Sequence, residues 1–396
     1  MPKILNASRA KVMLKAGLIL ILLFSMIENP PHYLGLLLAL IAWIRLMYEK
    51  ENRIKYILNI PFVRAILVLL VISFLPVFYA EYTHYVIRKW SRVLQALFTY
   101  LFFYELLIQE ENLMRYTNYL LAGAIGVGIH GLIDYWVRNP RRADAFMGPN
   151  TRAIYFLLVL FIPLAYVFLK ELNMKRRLLY GFSSIIVFFN IVLTKTRGAW
   201  MALAAGLVFF SFIKGKKLLA LLMILFMIAA PFLSENIAER GRTILDFEDT
   251  RIEEGWPQAI DMLTDHNIFL GVGSGNYRAL AQNEYDISGG MRRHTHNLFL
   301  QFTVDLGIMG LIYIIAFTIY LFSQMKKAYE KFFGSDSFEE AYIIAFLTVI
   351  ISFYVHTLTH LSIHNRSTAA IAMFLLAGFS YCLQEKEEPT STGMQN

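Results

Sequence analysis

Charge is what this chain has least of. Only 17% of its 396 residues are Asp, Glu, Lys or Arg, where a soluble domain carries roughly a quarter. Hydrophobic residues make up 57% of it, and mean hydropathy is +0.51. That balance excludes a soluble fold. Cysteine is nearly absent: the single Cys382 rules out an internal disulfide and any cysteine-based metal cluster. Short alternating strands are missing too. The apolar runs are continuous for roughly 17 to 25 residues, the length of membrane helices and not of barrel strands. No internal repeat is visible. The outer loops lack an Asp-x-Asp metal motif; the nearest approach, Asp246-Phe247-Glu248-Asp249, reads as a solvated turn. A net charge of +8 would suggest nucleic acid in a soluble protein. Here topogenic lysine and arginine account for it, and no nucleic-acid partner is expected.

What is present is a series of apolar spans. The pattern predicts an all-α integral membrane protein of about twelve transmembrane helices, near 12–27, 33–48, 63–80, 91–108, 116–136, 153–170, 178–194, 198–213, 217–233, 296–322, 341–364 and 366–383. The chain then divides into helices one to nine (1–233), a large loop containing short helices (234–295), helices ten to twelve (296–383) and a disordered polar tail (384–396). The first span follows Lys3, Arg9, Lys11 and Lys15, with no small-residue cleavage site after it, and reads as an uncleaved signal anchor. With both termini cytoplasmic, more than half of the 37 lysines and arginines fall on the cytoplasmic side. The large loop is therefore expected outside.

Several cations oppose that gradient. Arg88, Lys89, Arg92, Arg138, Arg141, Arg142, Arg152, Lys195, Arg197 and Arg366 fall in or beside short outer loops. Snorkelling to lipid headgroups explains some of them. Many cations on one face also suit an anionic substrate at the outer interface, such as a lipid-linked phosphate. Arg197 is the strongest case, because Lys195-Thr196-Arg197-Gly198-Ala199-Trp200 is a tight turn between two apolar spans. In Phe146-Met147-Gly148-Pro149-Asn150-Thr151-Arg152, Asn150 or Thr151 is expected to cap a helix whose free N–H groups face outward.

Within the large loop, Thr250 is a plausible N-cap, and Arg251–Leu263 places Trp256, Ile260 and Leu263 on one helical face. Gly271-Val272-Gly273-Ser274-Gly275-Asn276-Tyr277-Arg278 follows. A glycine-rich turn before a helix can cradle phosphate, but without a βαβ unit the plain tight turn is the favoured reading. Next comes Arg292-Arg293-His294-Thr295-His296-Asn297, where polar groups meet the tenth span. A histidine here can take up a proton near neutral pH, and adjacent arginines keep it neutral. On a helix His294 and His296 would diverge by about 200°, so one of them, preferably His296, is expected to point inward. His356, His360 and His364 stack at four-residue spacing in the eleventh span. They suit a polar cavity lining or a structural face better than a metal site.

These residues resemble the O-antigen ligase and polymerase superfamily of bacterial envelopes. The likeness lies in His296-Asn297 followed by Gly307 and Gly310, in the Thr196–Trp200 arginine turn, and in the run from Arg251 through Trp256 to Gly271-Val272-Gly273. The resemblance implies a GT-C-type glycosyltransferase of the bacterial inner membrane with its loop and active site in the periplasm. The implied donor is an undecaprenyl-diphosphate-linked glycan and the implied acceptor a sugar hydroxyl of the lipid A core. Transfer would invert the anomeric centre with no cofactor and no metal. Mapped onto this chain, His296 would be the catalytic base. Arg197, Arg251, Arg278 and Arg152 would hold the diphosphate. His294, Asn297, Arg88, Arg142, Asn150 and His360 are further candidates. The doubled His-Thr-His-Asn leaves the base between His294 and His296. A polymerase or a protein O-oligosaccharyltransferase would use the same donor. A lipid-linked glycan transporter is the reading from another class; it calls for polar residues at mid-membrane on broken helices.

Overall fold

A computed structural model describes residues 6–27, 30–138, 148–215, 255–285, 294–358 and 366–384. Among them the chain is helical, with no strand. Eight helices are long and apolar enough to cross a membrane: α2 (Pro30–Glu49), α5 (Thr83–Glu110), α6 (Leu113–Arg138), α7 (Pro149–Val167), α8 (Met174–Leu193), α12 (Leu298–Phe332), α13 (Phe338–Thr357) and α14 (Arg366–Leu383). Between them lie α1 (Ala7–Leu23), α3 (Arg53–Asn59), α4 (Val63–Phe74), α9 (Arg197–Ile213), α10 (Trp256–Asp265) and α11 (Asn276–Asn283). α3 and the Val63–Phe78 segment meet at 96°; the bend lies just before the expected third span, 63–80, which the Val63–Phe78 segment fills. α9 is apolar but shorter, at 17 residues. The expected ninth span, 217–233, and the tail from 385 onward lie outside the described residues.

Local chemistry sets several helix starts. Asn6, Asn173 and Ser337 each accept a backbone N–H three residues on, at 2.8, 3.0 and 3.1 Å, filling one of the orphan donors of a first turn. α1 and α2 form a tight pair because both carry glycine at the crossing. A β-carbon on Gly17 would stand 2.6 Å from the Gly35 carbonyl oxygen, and small residues permit such approach. α7 is the hub. Its residues from Arg152 to Tyr166 are all buried, as an all-round apolar helix must be. It packs on α8, α13, α9, α14 and α6, and Pro163 sits inside it without ending it.

One buried ionic group ties the first helices together. The Glu105 side chain, 2% exposed, accepts from Lys50 Nζ at 2.8 Å, Tyr56 Oη at 2.7 Å and Gln109 Nε2 at 2.6 Å. A charge-assisted bond of this kind contributes about 1.5–3 kcal/mol. Lys50→Ala leaves the carboxylate buried with only neutral donors. It is expected to lower stability by about 2 kcal/mol, read as a lower melting temperature of the purified protein in detergent. An unchanged melting temperature would count against the pair.

Candidate active site

The site is built on a break in α12. This helix holds 35 residues, or about 52 Å at 1.5 Å per residue, against a membrane core of about 30 Å. At Gly307 the backbone leaves the helix, with φ 64° and ψ −158°. Residues 308–332 after the break are long enough to span by themselves. The expected span 296–322 is thus two pieces: a short capped helix ending at Leu306 and a membrane helix set further along the chain.

The break leaves carbonyls without donors before it and N–H groups without acceptors after it. The loop segment 268–273 supplies both. Val272 N–H donates to the Val304 carbonyl and Gly273 N–H to that of Asp305, each at 2.9 Å; Ile308 N–H and Met309 N–H donate to the carbonyls of Ile268 and Phe269, at 3.0 and 3.3 Å. This settles the role of the glycine-rich stretch. It is a strap through the helix break, and the N–H groups of Val272 and Gly273 are spent on α12 and do not cradle a phosphate. Only glycine fits the crossing: a β-carbon on Gly307 would lie 2.3 Å from the Phe269 carbonyl carbon, and one on Gly271 would lie 2.5 Å from Gly307 N.

The strap and its neighbours form a small core of their own. Ala259 and Met262 from α10, Val272, Tyr277 and Leu280 from around α11, and Val304 from α12 pack together. α10 begins at Trp256, with Gly255 as its N-cap; Thr250 lies outside the described residues. Its buried face is Ala259, Met262 and Leu263. Ile260, expected on that face, is 49% exposed; the buried side of the helix is centred between Ala259, Met262 and Leu263, and Ile260 falls off its edge.

The histidine stretch is a turn, not a helix. His296 has φ 57°, a left-handed value. The rings of His294 and His296 therefore come together, 4.1 Å between centroids, instead of diverging as helical geometry required. His296 N–H donates to His294 Nδ1 at 3.3 Å, which assigns that nitrogen as an acceptor. The turn is held on both sides of the fully buried Thr295: Trp256 Nε1–H donates to its carbonyl at 3.0 Å, and its own N–H donates to Gln301 Oε1 at 2.9 Å. Asn297 caps α12, accepting from Leu300 N–H at 3.1 Å. His296 is 9% exposed, and His294 is half-buried.

The cations form two groups. In the first, Arg88, Arg92 and Arg278 surround Lys89, and Asp305 supplies the opposing charge. Gly275 N–H also bonds the Asp305 carboxylate. α5 and α11 come together here because the Asn276 side chain accepts from Tyr82 N–H at 2.8 Å. In the second group, Thr196 Oγ1 donates to Asn150 Oδ1 at 3.2 Å, joining the start of α7 to the turn before α9. Arg197 is the first residue of α9 and half-buried. Asn150 does not cap α7; Gly148 is the N-cap. Arg152 is fully buried, bonded to the Asn190 side chain and stacked 5.6 Å from the Phe156 ring. It fills the space Gly131 leaves, where a β-carbon would overlap its guanidinium. His356 is buried at the end of α13. Arg142, Arg251, Arg292, Arg293, His360 and His364 lie outside the described residues.

A cavity of about 360 Å3 opens beside the short first part of α12. Leu298, Gln301, Asp305, Ser274, Lys89 and Arg92 line one part of it, Arg366 contributes a further cation, and Ile66, Leu158, Phe317, Phe346 and Met373 make the rest apolar. The lining comes from the helix that His296 leads into, not from the His296 ring. Lys89, Gln301 and Asp305 were not singled out as a group by sequence reasoning. They lie on α5 and α12, far apart in the chain, and only the i, i+4 spacing of Gln301 and Asp305 hinted at a link. Elsewhere, Glu81, His266 and Glu284 bring their ligand atoms within 4.8 Å of one another on the exposed face, a set able to hold a metal ion. Partial burial, then the neighbouring Glu81 carboxylate, raises the Glu284 pKa.

The stretch that contains the arginine turn, the strap and the histidine turn also carries the likeness to known proteins. Residues 182–315 match the O-antigen ligase family. That stretch runs from within α8 into α12 and takes in Arg197, Arg278 and His296. It supports the superfamily the residues resemble: membrane enzymes of the O-antigen ligase and polymerase type, glycosyltransferase-like in activity. No curated protein matches the chain.

Proposed function

We propose that the chain is an O-antigen ligase. It transfers a glycan from undecaprenyl diphosphate to a sugar hydroxyl of the lipid A core, at the periplasmic face of the bacterial inner membrane. The observation that carries this reading is the largely apolar cavity with Lys89, Arg92 and Arg366 in its wall, against the helix that starts at the histidine turn. A polyprenyl diphosphate has that same division: an apolar chain and a doubly charged head.

The acceptor hydroxyl attacks the anomeric carbon from the face opposite the leaving group. His296 takes the hydroxyl proton as the new C–O bond forms. The bond to the diphosphate breaks, and the diphosphate leaves with the electron pair. Charge growing on the leaving oxygen is met by arginine, whose planar fork suits phosphate. Arg197 stands at the first position of α9, where the helix N-terminus adds its own positive end. Arg278 beside Lys89 is the second binding group. Arg251, Arg142 and Arg88 complete the set proposed to face the donor. Arg152, buried on Asn190, acts from behind by holding the start of α7. The chemistry needs no metal. The twelve-span GT-C arrangement with both termini cytoplasmic belongs to the same proposal.

One observation bears on the transport reading. Transporters carry discontinuous helices around their substrate sites, and α12 is broken beside Gln301 and Asp305. In this chain, however, the backbone groups freed at the break are taken up by 268–273, so the break anchors a loop.

The test is transfer by purified protein given a lipid-diphosphate glycan together with purified lipid A core. Glycan appearing on lipid A core is the expected result. Chain growth on the lipid-linked glycan alone would make the protein a polymerase, and reaction with neither acceptor would favour transport. Arg197→Ala is expected to abolish transfer while the protein remains folded in the membrane. Loss of folded protein would make Arg197 a structural residue.

A further inference from the structure

We infer that Gln301 and Asp305 are positioning residues that set the orientation of His296 through the Thr295 backbone. The inference rests on the reading of His296 as the base. His296 sits at φ 57°, a conformation that side-chain-bearing residues adopt only where their surroundings hold them there. The residue before it is clamped. Thr295 N–H donates to Gln301 Oε1 at 2.9 Å, and Gln301 Nε2–H donates to Asp305 Oδ1, also at 2.9 Å. Asp305 is fixed in turn by Gly275 N–H and by the facing charge of Lys89. The Trp256 indole N–H holds the other side of Thr295, at 3.0 Å. Gln301 is 5% exposed, so water cannot readily replace its bonds. The relay thus runs from a cation on α5, through two side chains one turn apart on α12, to the peptide between His294 and Thr295, one residue before His296.

The polarity of this relay is specific. Its middle member must accept from a backbone N–H at one oxygen and donate to a carboxylate from the same terminal group. An amide does both; a carboxylate offers only acceptors. Gln301→Glu therefore sets oxygen against the oxygen of Asp305, and the two charges repel. Adding Asp305→Asn reverses the second bond. In the double variant the new amide donates to the carboxylate at position 301, whose other oxygen still accepts from Thr295. A residue that only filled space would be indifferent to that exchange.

The experiment measures kcat and donor KM for wild type, His296→Ala, Gln301→Glu and the Gln301→Glu/Asp305→Asn pair, with melting temperatures alongside. A base displaced by about 1 Å loses about 100-fold in rate. The expected result is that loss in kcat for Gln301→Glu, with melting temperature near wild type, and recovery of kcat to within about tenfold of wild type in the pair. If Gln301→Glu does not survive purification, Gln301→Met, similar in length and without a hydrogen bond to offer, is read in the same way. Wild-type kcat in Gln301→Glu beside an inactive His296→Ala would overturn this inference alone, as would a double variant no better than the single one. Full activity in His296→Ala would overturn the base assignment and this inference with it.

Discussion

His296→Ala is expected to cut glycan transfer by about 10²–10⁴-fold, the range a positioned general base supplies. Donor binding should survive, because the described donor-facing cations lie on α5, α9, α11 and α14 and not on the histidine turn. The loss should therefore fall on kcat and leave donor KM near its wild-type value. His294→Ala is the control that separates the two rings. They touch at 4.1 Å, and His294 also accepts the His296 N–H, so its removal loosens the turn and lowers the rate less. Transfer lost only with His294, and kept with His296→Ala, would reverse the two roles. Transfer within about tenfold of wild type in both variants would remove histidine from the mechanism.

Gly307→Ala is expected to be severely damaging. The φ 64°, ψ −158° conformation is available essentially to glycine alone and costs another residue about 1–3 kcal/mol. The added β-carbon would also lie 2.3 Å from the carbonyl carbon and oxygen of Phe269. Those are backbone atoms of the strap, which cannot rotate away as a side chain can. Helix break and strap must separate, and the bonds from Val272, Gly273, Ile308 and Met309 go with them. The outcome to look for is loss of folded protein from detergent extracts, or early protease cleavage between 255 and 285 in whatever remains. A variant with wild-type melting temperature and cleavage pattern would mean that the crossing is not as close as the geometry requires. Alanine at Gly148, where a β-carbon meets nothing within 4 Å, is the matched control.

Much of the architecture was legible in the chain itself. Continuous apolar runs require helices in a membrane, because lipid offers no partner for an unpaired backbone group. Each expected span inside the described residues has a helix. The boundaries moved where a helix end is decided by something other than hydrophobicity: α13 is helical to Thr357, and α1 ends at Leu23. The functional stretch was also visible, since cations and histidines set against apolar runs demand a cause. Its internal geometry was not. Helical periodicity predicted that His294 and His296 diverge, and the left-handed backbone at His296 brings their rings together instead. The glycines after Leu270 announced a turn, but not that the turn threads a broken helix, because the partner carbonyls lie more than thirty residues away in sequence.

The amino-acid sequence alone determined that this is a helical membrane protein, that cations and histidines stand at the ends of its apolar runs, and that its residues 182–315 match O-antigen ligases. Those properties follow from composition, periodicity and local spacing, which the chain carries in any conformation. Tertiary structure alone decided that Lys89 faces Asp305, that Arg152 is buried on Asn190 and not open to a ligand, and that Gln301 holds the Thr295 N–H, one residue before His296. Each depends on two or three distant segments meeting within about 3 Å, the reach of a hydrogen bond. No local pattern encodes such a meeting; the packing of the whole bundle does.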